Sequence, residues 1–186
     1  KVIEHEVGKL GDEELIPDEQ VVITMTEANY VKRTLASDYR KQNRGGKGKR
    51  GVTTREEDIV RHVAALSTHD YVLFFTNKGR VFRLRGYEIP SAGLGAKGTA
   101  IVNLLQLSPE ETVTTMIGIQ KQEENGFLFM CTARGTVKKT PYSAYMNVRS
   151  TGLITIKLDE GDELKWVRLS SGEDEVLIST SMGQAM

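Results

Sequence analysis

Nine residues, Gln42-Asn43-Arg44-Gly45-Gly46-Lys47-Gly48-Lys49-Arg50, hold four cations around three glycines. Such a segment lacks the apolar bulk to build a core. Its backbone can lie close to a flat charged surface while Arg44, Lys47, Lys49 and Arg50 reach outward, a combination that suits a phosphate backbone. The chain as a whole balances 25 basic against 25 acidic side chains, and that total argues mildly against a nucleic-acid binder. The distribution argues for one. Residues 1–20 carry Glu4, Glu6, Asp12, Glu13, Glu14, Asp18 and Glu19 against Lys1 and Lys9, whereas residues 30–50 add Lys32, Arg33, Arg40 and Lys41 to the four cations above, against Asp38 alone. Local field outweighs the sum, because screening confines its reach to ~8–10 Å. The acidic lead-in is a candidate shield for the basic surface until nucleic acid displaces it.

Other chemistry is poorly supported. Gly46-Lys47-Gly48-Lys49-Arg50-Gly51 matches the glycine spacing of a dinucleotide loop, but no strand leads into it and no helical pattern follows. There is no Gly-Lys-Ser/Thr to hold a nucleotide phosphate. His5, His62 and His69 show no metal-ligand spacing, so neither a metal nor a cofactor is expected in this chain. Cys131 is the only cysteine. It lies in an apolar run and reads as a small core residue, and the lack of an intramolecular disulfide fits a reducing cytoplasm. No apolar run approaches the ~20 residues of a membrane span, and no signal-peptide pattern opens the chain. The chain begins with Lys1 and stops within Ser181–Met186 in mid-pattern, so a piece of a longer protein is expected.

The elements that must position the cations are visible as a repeat. Val21–Thr34, Tyr71–Leu84, Phe127–Thr140 and Val176–Met186 each open on an apolar β-rich run. A threonine follows (Thr26, Thr76, Thr132, Thr180), then a turn residue three positions on (Asn29, Gly79, Gly135, Gly183), then, in the first three, a second run with basic side chains. Glycine, and next best asparagine, tolerate positive φ, which places these residues in tight hairpins, and the threonine hydroxyl is expected to bond the turn backbone. A second glycine recurs at Gly48, Gly98 and Gly152, each followed by a short β run such as Ala100–Leu104 or Leu153–Leu158. A further strand (Val60–Leu66, Val113–Ile119, Leu164–Leu169) closes each unit. Glu56, Glu57 and Asp58 before Val60 would suit a helix, but the repeat overrides that reading. The period is about 50 residues with roughly four strands, which points to an all-β propeller or related radial array. Trp166 and the tyrosines are expected to pack between blades.

With the repeat in place, the sequence resembles the family of C-terminal domains of the DNA gyrase A subunit, part of a bacterial type IIA topoisomerase. The family's marker is a seven-residue box, Gln-Arg-Arg-Gly-Gly-Lys-Gly, which stands here as Gln42-Asn43-Arg44-Gly45-Gly46-Lys47-Gly48. Asn43 replaces a cation, with Arg40 and Lys41 just upstream. Ser67–Val81, Tyr87–Pro90 and Lys97–Leu104 extend the likeness, which runs from about Glu14 to the end. The resemblance implies a six-bladed β-pinwheel whose blades exchange strands. Residues 1–20 would then form an acidic lead-in and first edge strand, and 21–186 three repeats and the first hairpin of a fourth, about half of the disc. It also implies positive wrapping of duplex DNA that directs ATP-dependent strand passage toward negative supercoiling, with ATP and Mg bound on other domains. The implied setting is the cytoplasmic nucleoid, where a homodimer of A subunits works with the gyrase B subunit.

Besides the box, the expected DNA contacts are Lys32, Arg33, Arg40, Lys41, Lys49 and Arg50 in the first unit, Arg80, Arg83, Arg85 and Lys97 in the second, and Lys138, Lys139 and Arg149 in the third. Cleavage in this enzyme class uses a tyrosine directly preceded by an arginine. No Arg-Tyr pair occurs, so the chain is expected to bind DNA without cutting it, with no catalytic residue of its own. Open blade edges predict self-association. Two alternatives stand beside this reading: the matching domain of the topoisomerase IV A subunit, which usually lacks a recognisable box, and a propeller serving as a protein-interaction scaffold.

Overall fold

A computed structural model describes residues 15–39, 58–121 and 125–185. The strands among them are β1 (Gln20–Thr26), β2 (Tyr30–Leu35), β3 (Val60–Ser67), β4 (Tyr71–Thr76), β5 (Arg80–Arg85), β6 (Thr99–Ala100), β7 (Val113–Ile119), β8 (Phe127–Thr132), β9 (Val137–Pro141), β10 (Leu153–Ile154) and β11 (Leu164–Ser170). The remaining regular elements among the described residues are short 3-10 turns. Val60–Ser67 is a strand, as the repeat requires.

The hairpin turns follow from their residues. Asn29, Gly79, Gly135 and Gly183 have φ of 60°, 72°, 87° and 76°, a left-handed conformation that glycine adopts without strain and asparagine tolerates. Each donates its N–H to the carbonyl of the threonine three residues earlier, at 3.0–3.1 Å. The threonine Oγ1 then accepts the N–H four residues on, from Tyr30, Arg80, Thr136 and Gln184 at 3.1, 3.2, 3.0 and 3.2 Å. An acid from later in each unit completes the cap. Asp58 accepts from the Ala28 N–H at 3.0 Å, Glu111 from the Thr76 hydroxyl at 2.7 Å, and Asp162 from the Arg134 N–H at 3.1 Å. In the fourth segment the turn forms and Ser179 bridges Ala185.

The hairpins assemble into three antiparallel sheets by lending strands. The first sheet has the order β3-β1-β2-β6, the second β10-β5-β4-β7, and the third β11-β8-β9. Thus β6, from the second unit, extends the first sheet, and β10, from the third, extends the second. β1 is interior to its sheet, and residues 1–14 of the expected lead-in and edge strand lie outside the described residues. The lent strands are also shorter than the apolar runs suggest. After Ala100 the chain enters a 3-10 turn at Ile101–Asn103, which drives Ile101 (1% exposed) into the core.

Sheet two is apolar on both faces because it is covered on both. Val72 and Phe74 of β4 pack with Val21, Ile23, Met25 and Val31 of the first sheet. Leu73 and Phe75, on the opposite face, pack with Leu128, Met130, Tyr142 and Tyr145 of the third. Each such side chain contributes about 1.5–3 kcal/mol on full burial, so the middle hairpin ties its neighbours together. The strands β3, β7 and β11 line one common cleft of ≈ 440 Å³, as the inner strands of a radial array do. Tyr142 and Tyr145 lie between blades as expected, and Cys131 is buried at 6% exposed. Trp166 does not pack between these blades. It is 54% exposed and lines a pocket on the outer face of the third sheet with Phe129, Cys131 and Val176.

Candidate nucleic-acid interface

The box residues Gln42, Asn43, Arg44, Gly45, Gly46, Lys47 and Gly48, with Arg40, Lys41, Lys49 and Arg50, lie outside the described residues. Their register in the repeat matches two loops that are described, 92–98 and 146–152. Each of these leads into a lent strand, and each runs along the outer strand of the preceding sheet. Gly98 (φ +92°) lies so close to β2 that an added Cβ would sit 2.6 Å from the Val31 carbonyl oxygen, and Gly152 (φ +78°) packs in the same way on Val81 and Phe82. Glycine is required at both positions by conformation and by space.

The cations in these loops face water. Lys97 is exposed, with its ammonium 3.7 Å from the centroid of the Tyr30 ring, a contact that steers the charge without neutralising it. Arg149 is exposed and lines a cleft of ≈ 270 Å³ with Arg83, Arg85, Gln106 and Ser150. Lys138 and Lys139 on β9 are exposed as well. The Lys138 Nζ donates to the Thr155 carbonyl at 2.6 Å. The Lys139 Nζ donates to the Gly172 carbonyl at 2.9 Å and stands 4.9 Å from the Phe127 ring.

The cations on β2 and β5 are placed otherwise, and Lys32 departs most from expectation. It is 2% exposed, and its ammonium donates to the carbonyls of Gly93, Leu94 and Ala96 at 3.2, 2.6 and 3.0 Å. Burial pushes its pKa down from the ordinary lysine value. Lys32 therefore organises the loop that carries Lys97 and offers no charge to a phosphate. Arg33 donates from Nε to the Ile89 carbonyl at 3.0 Å. Arg80 pairs from Nε with Glu111 at 2.9 Å, donates from Nη2 to the Gln106 carbonyl at 2.7 Å, and covers Phe82 at 4.7 Å. Arg83 donates to the Met146 carbonyl, and Arg85 donates to the His69 carbonyl at 2.8 Å. Both guanidiniums stack on Tyr71, at 4.6 and 3.9 Å. Side chains on these strands meet the next unit's loop, their own turn acid or, for Arg85, their own unit's His69 carbonyl, and a charge count along the chain does not carry that information.

Glu111 is the residue the sequence reading missed. It is 5% exposed and accepts bonds from Thr76, Arg80 and both the N–H and hydroxyl of Ser108. Burial raises its pKa, but the Ser108, Thr76 and Arg80 bonds together outweigh that and hold the carboxyl below the ordinary glutamate value. Acidic residues just before each closing strand, Asp58, Glu111 and Asp162 among them, were its only trace in the sequence. Lys157, exposed beyond β10, also escaped notice because it stands outside the hairpin pattern. Among the described residues no group of three or more His, Cys, Asp or Glu could hold a metal ion, and no helix is long and apolar enough to cross a membrane.

The family described as DNA gyrase C-terminal domain, beta-propeller, matches residues 20–67, 70–119 and 126–171, one stretch for each sheet-forming unit. The DNA gyrase A subunit of Clostridium acetobutylicum is 47% identical over 99% of this chain, which covers 22% of that protein. Its Staphylococcus aureus counterpart is 49% identical over 92% of the chain and 20% of its own length. The chain thus spans about a fifth of these relatives. A crystal structure of the C-terminal domain of DNA topoisomerase IV superposes with a TM-score of 0.78 at 29% identity, covering 92% of this chain and 52% of that one. A DNA gyrase A C-terminal domain shares the fold with a TM-score of 0.65 at 23% identity, covering 90% and 53%. With all three units matched in register, the chain belongs to the DNA gyrase C-terminal domain, beta-propeller family.

Proposed function

We propose that this chain binds, bends and wraps duplex DNA with a positive hand and without reading its bases, and that it does so as the C-terminal domain of a gyrase A subunit. In that setting it directs ATP-dependent strand passage toward negative supercoiling. The observation that carries the reading is the recurrence of exposed cations in loops leading to lent strands. Lys97 and Arg149 occupy such loops, and the box falls in the same register. Bending ~20–30 base pairs by tens of degrees costs of order 1–6 kcal/mol, so phosphate contacts must be spread along a curved track to offset it. Glycine-flanked lysines position a duplex and carry no base-specific information.

The chain itself performs no cleavage. The ATP and Mg chemistry lies on other domains of the parent enzyme, which at the cytoplasmic nucleoid combines a homodimer of A subunits with the gyrase B subunit. Open blade edges are the surface for self-association. Topoisomerase IV is the second reading for the parent enzyme, favoured by the close superposition with its C-terminal domain. The higher identity to gyrase subunits and the near-intact box favour gyrase. The test changes Arg44, Lys47 and Lys49 to Ala in the parent protein and assays relaxed plasmid. Loss of negative supercoiling with retained relaxation is the expected outcome. Supercoiling equal to that of the unaltered enzyme, or failure of this chain to bind linear duplex at low salt, overturns the proposal.

A further inference from the structure

The units of this array are joined by a contact that recurs one unit apart. Arg33 and Arg83 hold the same place in the repeat, seven residues after the hairpin threonines Thr26 and Thr76. Both point away from their own turn and donate to a carbonyl at the C-terminal end of the next unit's 3-10 turn. Arg33 bonds the Ile89 carbonyl at 3.0 Å, directly after Gly86–Glu88. Arg83 bonds the Met146 carbonyl, directly after Tyr142–Tyr145. These carbonyls come from residues 56 and 63 positions later in the chain, so the contacts close the join between units and are not local.

Backbone contacts reinforce the first join. The Arg33 N–H donates to the Pro90 carbonyl at 3.1 Å, and the Ala92 N–H donates to the Arg33 carbonyl at 2.9 Å. At the second join the Arg83 guanidinium is also stacked on Tyr71, 4.6 Å from the ring centroid. A planar guanidinium can stack and donate at once, which a lysine ammonium cannot. In the third unit the place belongs to Lys139, which is exposed and bonds the Gly172 carbonyl.

We propose that Arg33 and Arg83 are positioning residues that fix the angle between successive units, and so set the curvature offered to a duplex without contacting its phosphates. The proposal rests on the DNA-wrapping reading for its consequence, though not for the join itself. A clip and a phosphate contact make opposite demands. Neutralising a phosphate contact removes one released counterion and lowers the log–log salt slope by about 0.9. Neutralising a clip loosens the join, and any contacts the straightened duplex gives up are lost together with that loosening.

The experiment uses this chain with Arg83→Gln, which keeps most of the stem on Tyr71, and a ~40-base-pair duplex labelled at both ends. Three quantities are read: the salt slope of binding, the end-to-end energy transfer of the bound duplex, and amide exchange across 142–152. The expected result is weaker energy transfer from a straighter duplex and exchange around Met146 about tenfold faster or more, as for a locally loosened segment, with any fall in slope accompanied by both. A slope reduced by about 0.9 with unchanged exchange would make Arg83 a phosphate contact and overturn the proposal, as would unchanged exchange with any slope. If the unaltered chain binds no duplex, the wrapping reading fails, yet the exchange measurement still decides the clip. Should Arg83→Gln not fold, Arg33→Gln is read in the same way on the amides of Ile89, Ser91 and Ala92.

Discussion

Lys32-Arg33 on β2 and Lys138-Lys139 on β9 are the same pair of positions in two units, and their surroundings are opposite. Lys32 is 2% exposed, with its ammonium held by three carbonyls of the loop that arrives from the second unit. Lys138 and Lys139 are exposed, each with one carbonyl contact. Local sequence does not produce the difference, since both pairs follow a threonine, a left-handed turn residue and a short strand. The arriving loop produces it. Residues 93–96 cross Lys32 and take its three bonds, whereas Lys138 meets the single Thr155 carbonyl among the described residues. A basic residue in this repeat is therefore an internal tie or a surface charge according to its neighbour, and repeat position alone does not assign its role.

The largest effect that tests this contrast is expected from Lys32→Met. The substitution keeps the apolar stem and leaves three carbonyls without their shared donor, which is itself buried. Unpaired buried polar groups cost about 1–3 kcal/mol each before relaxation, so a loss of about 2–4 kcal/mol in urea-induced unfolding is expected. Lys138→Met, at an exposed position, should stay within about 0.5 kcal/mol. Equal losses would remove the arriving loop as the deciding factor. Glycines sharpen the same point at smaller scale. Gly98→Ala places a Cβ 2.6 Å from the Val31 carbonyl oxygen at φ +92°, whereas Gly135→Ala at φ +87° meets nothing within 4 Å. The second should cost only the left-handed conformation, about 1–2 kcal/mol. The first adds a backbone clash at the join, so its midpoint in the same unfolding titration should fall further.

Local physics was legible in the sequence, and long-range pairing was not. The hairpins, the positive φ at Asn29, Gly79, Gly135 and Gly183, and the bonding threonines follow from residues within four positions of one another. Strand lending could be expected from family resemblance, but which strand crosses to which sheet depends on partners such as Val31 and Thr99, far apart in the chain. The lent strands were overread because Ile101 and Ile156 are apolar for the core and do not extend the ladder. Trp166 was misplaced because an apolar residue on an alternating strand has two faces to choose from, and among the described residues the second sheet packs against the face opposite Trp166. Of the candidate contacts, Lys97 and Arg149 were legible through their glycine-marked loops. Lys32 and Arg80 were not, because their partners, the 93–96 carbonyls and Glu111, lie 31 or more residues away.

The smallest effect concerns the turn acids, which compare the second unit with the third by pH. The Glu111 carboxyl is pushed up by burial and pulled further down by its bonds from Ser108, Thr76 and Arg80. In the third unit Asp162 is lowered chiefly by the Thr132 hydroxyl, then by N–H donors of Glu163 and Arg134 and the Arg134 charge, against a burial cost. A folded pKa below the unfolded one adds stability that is fully present above the unfolded value, near 4 for these side chains, and is lost as pH falls through the folded value. Both units should therefore lose stability below about pH 4 and hold constant between 5 and 7 on this account. Protonation leaves an acid that still accepts bonds, so the loss should be milder than deletion of Lys32. Glu111→Gln should flatten the acid limb of midpoint against pH more than Asp162→Asn, because Glu111 accepts directly from the Arg80 guanidinium at 2.9 Å, whereas Asp162 accepts from the N–H groups of Arg134 and Glu163, and bonds to a charged donor are the stronger ones. If the two variants flatten it equally, the guanidinium adds nothing to the turn cap, and the contrast between the units is confined to the cations.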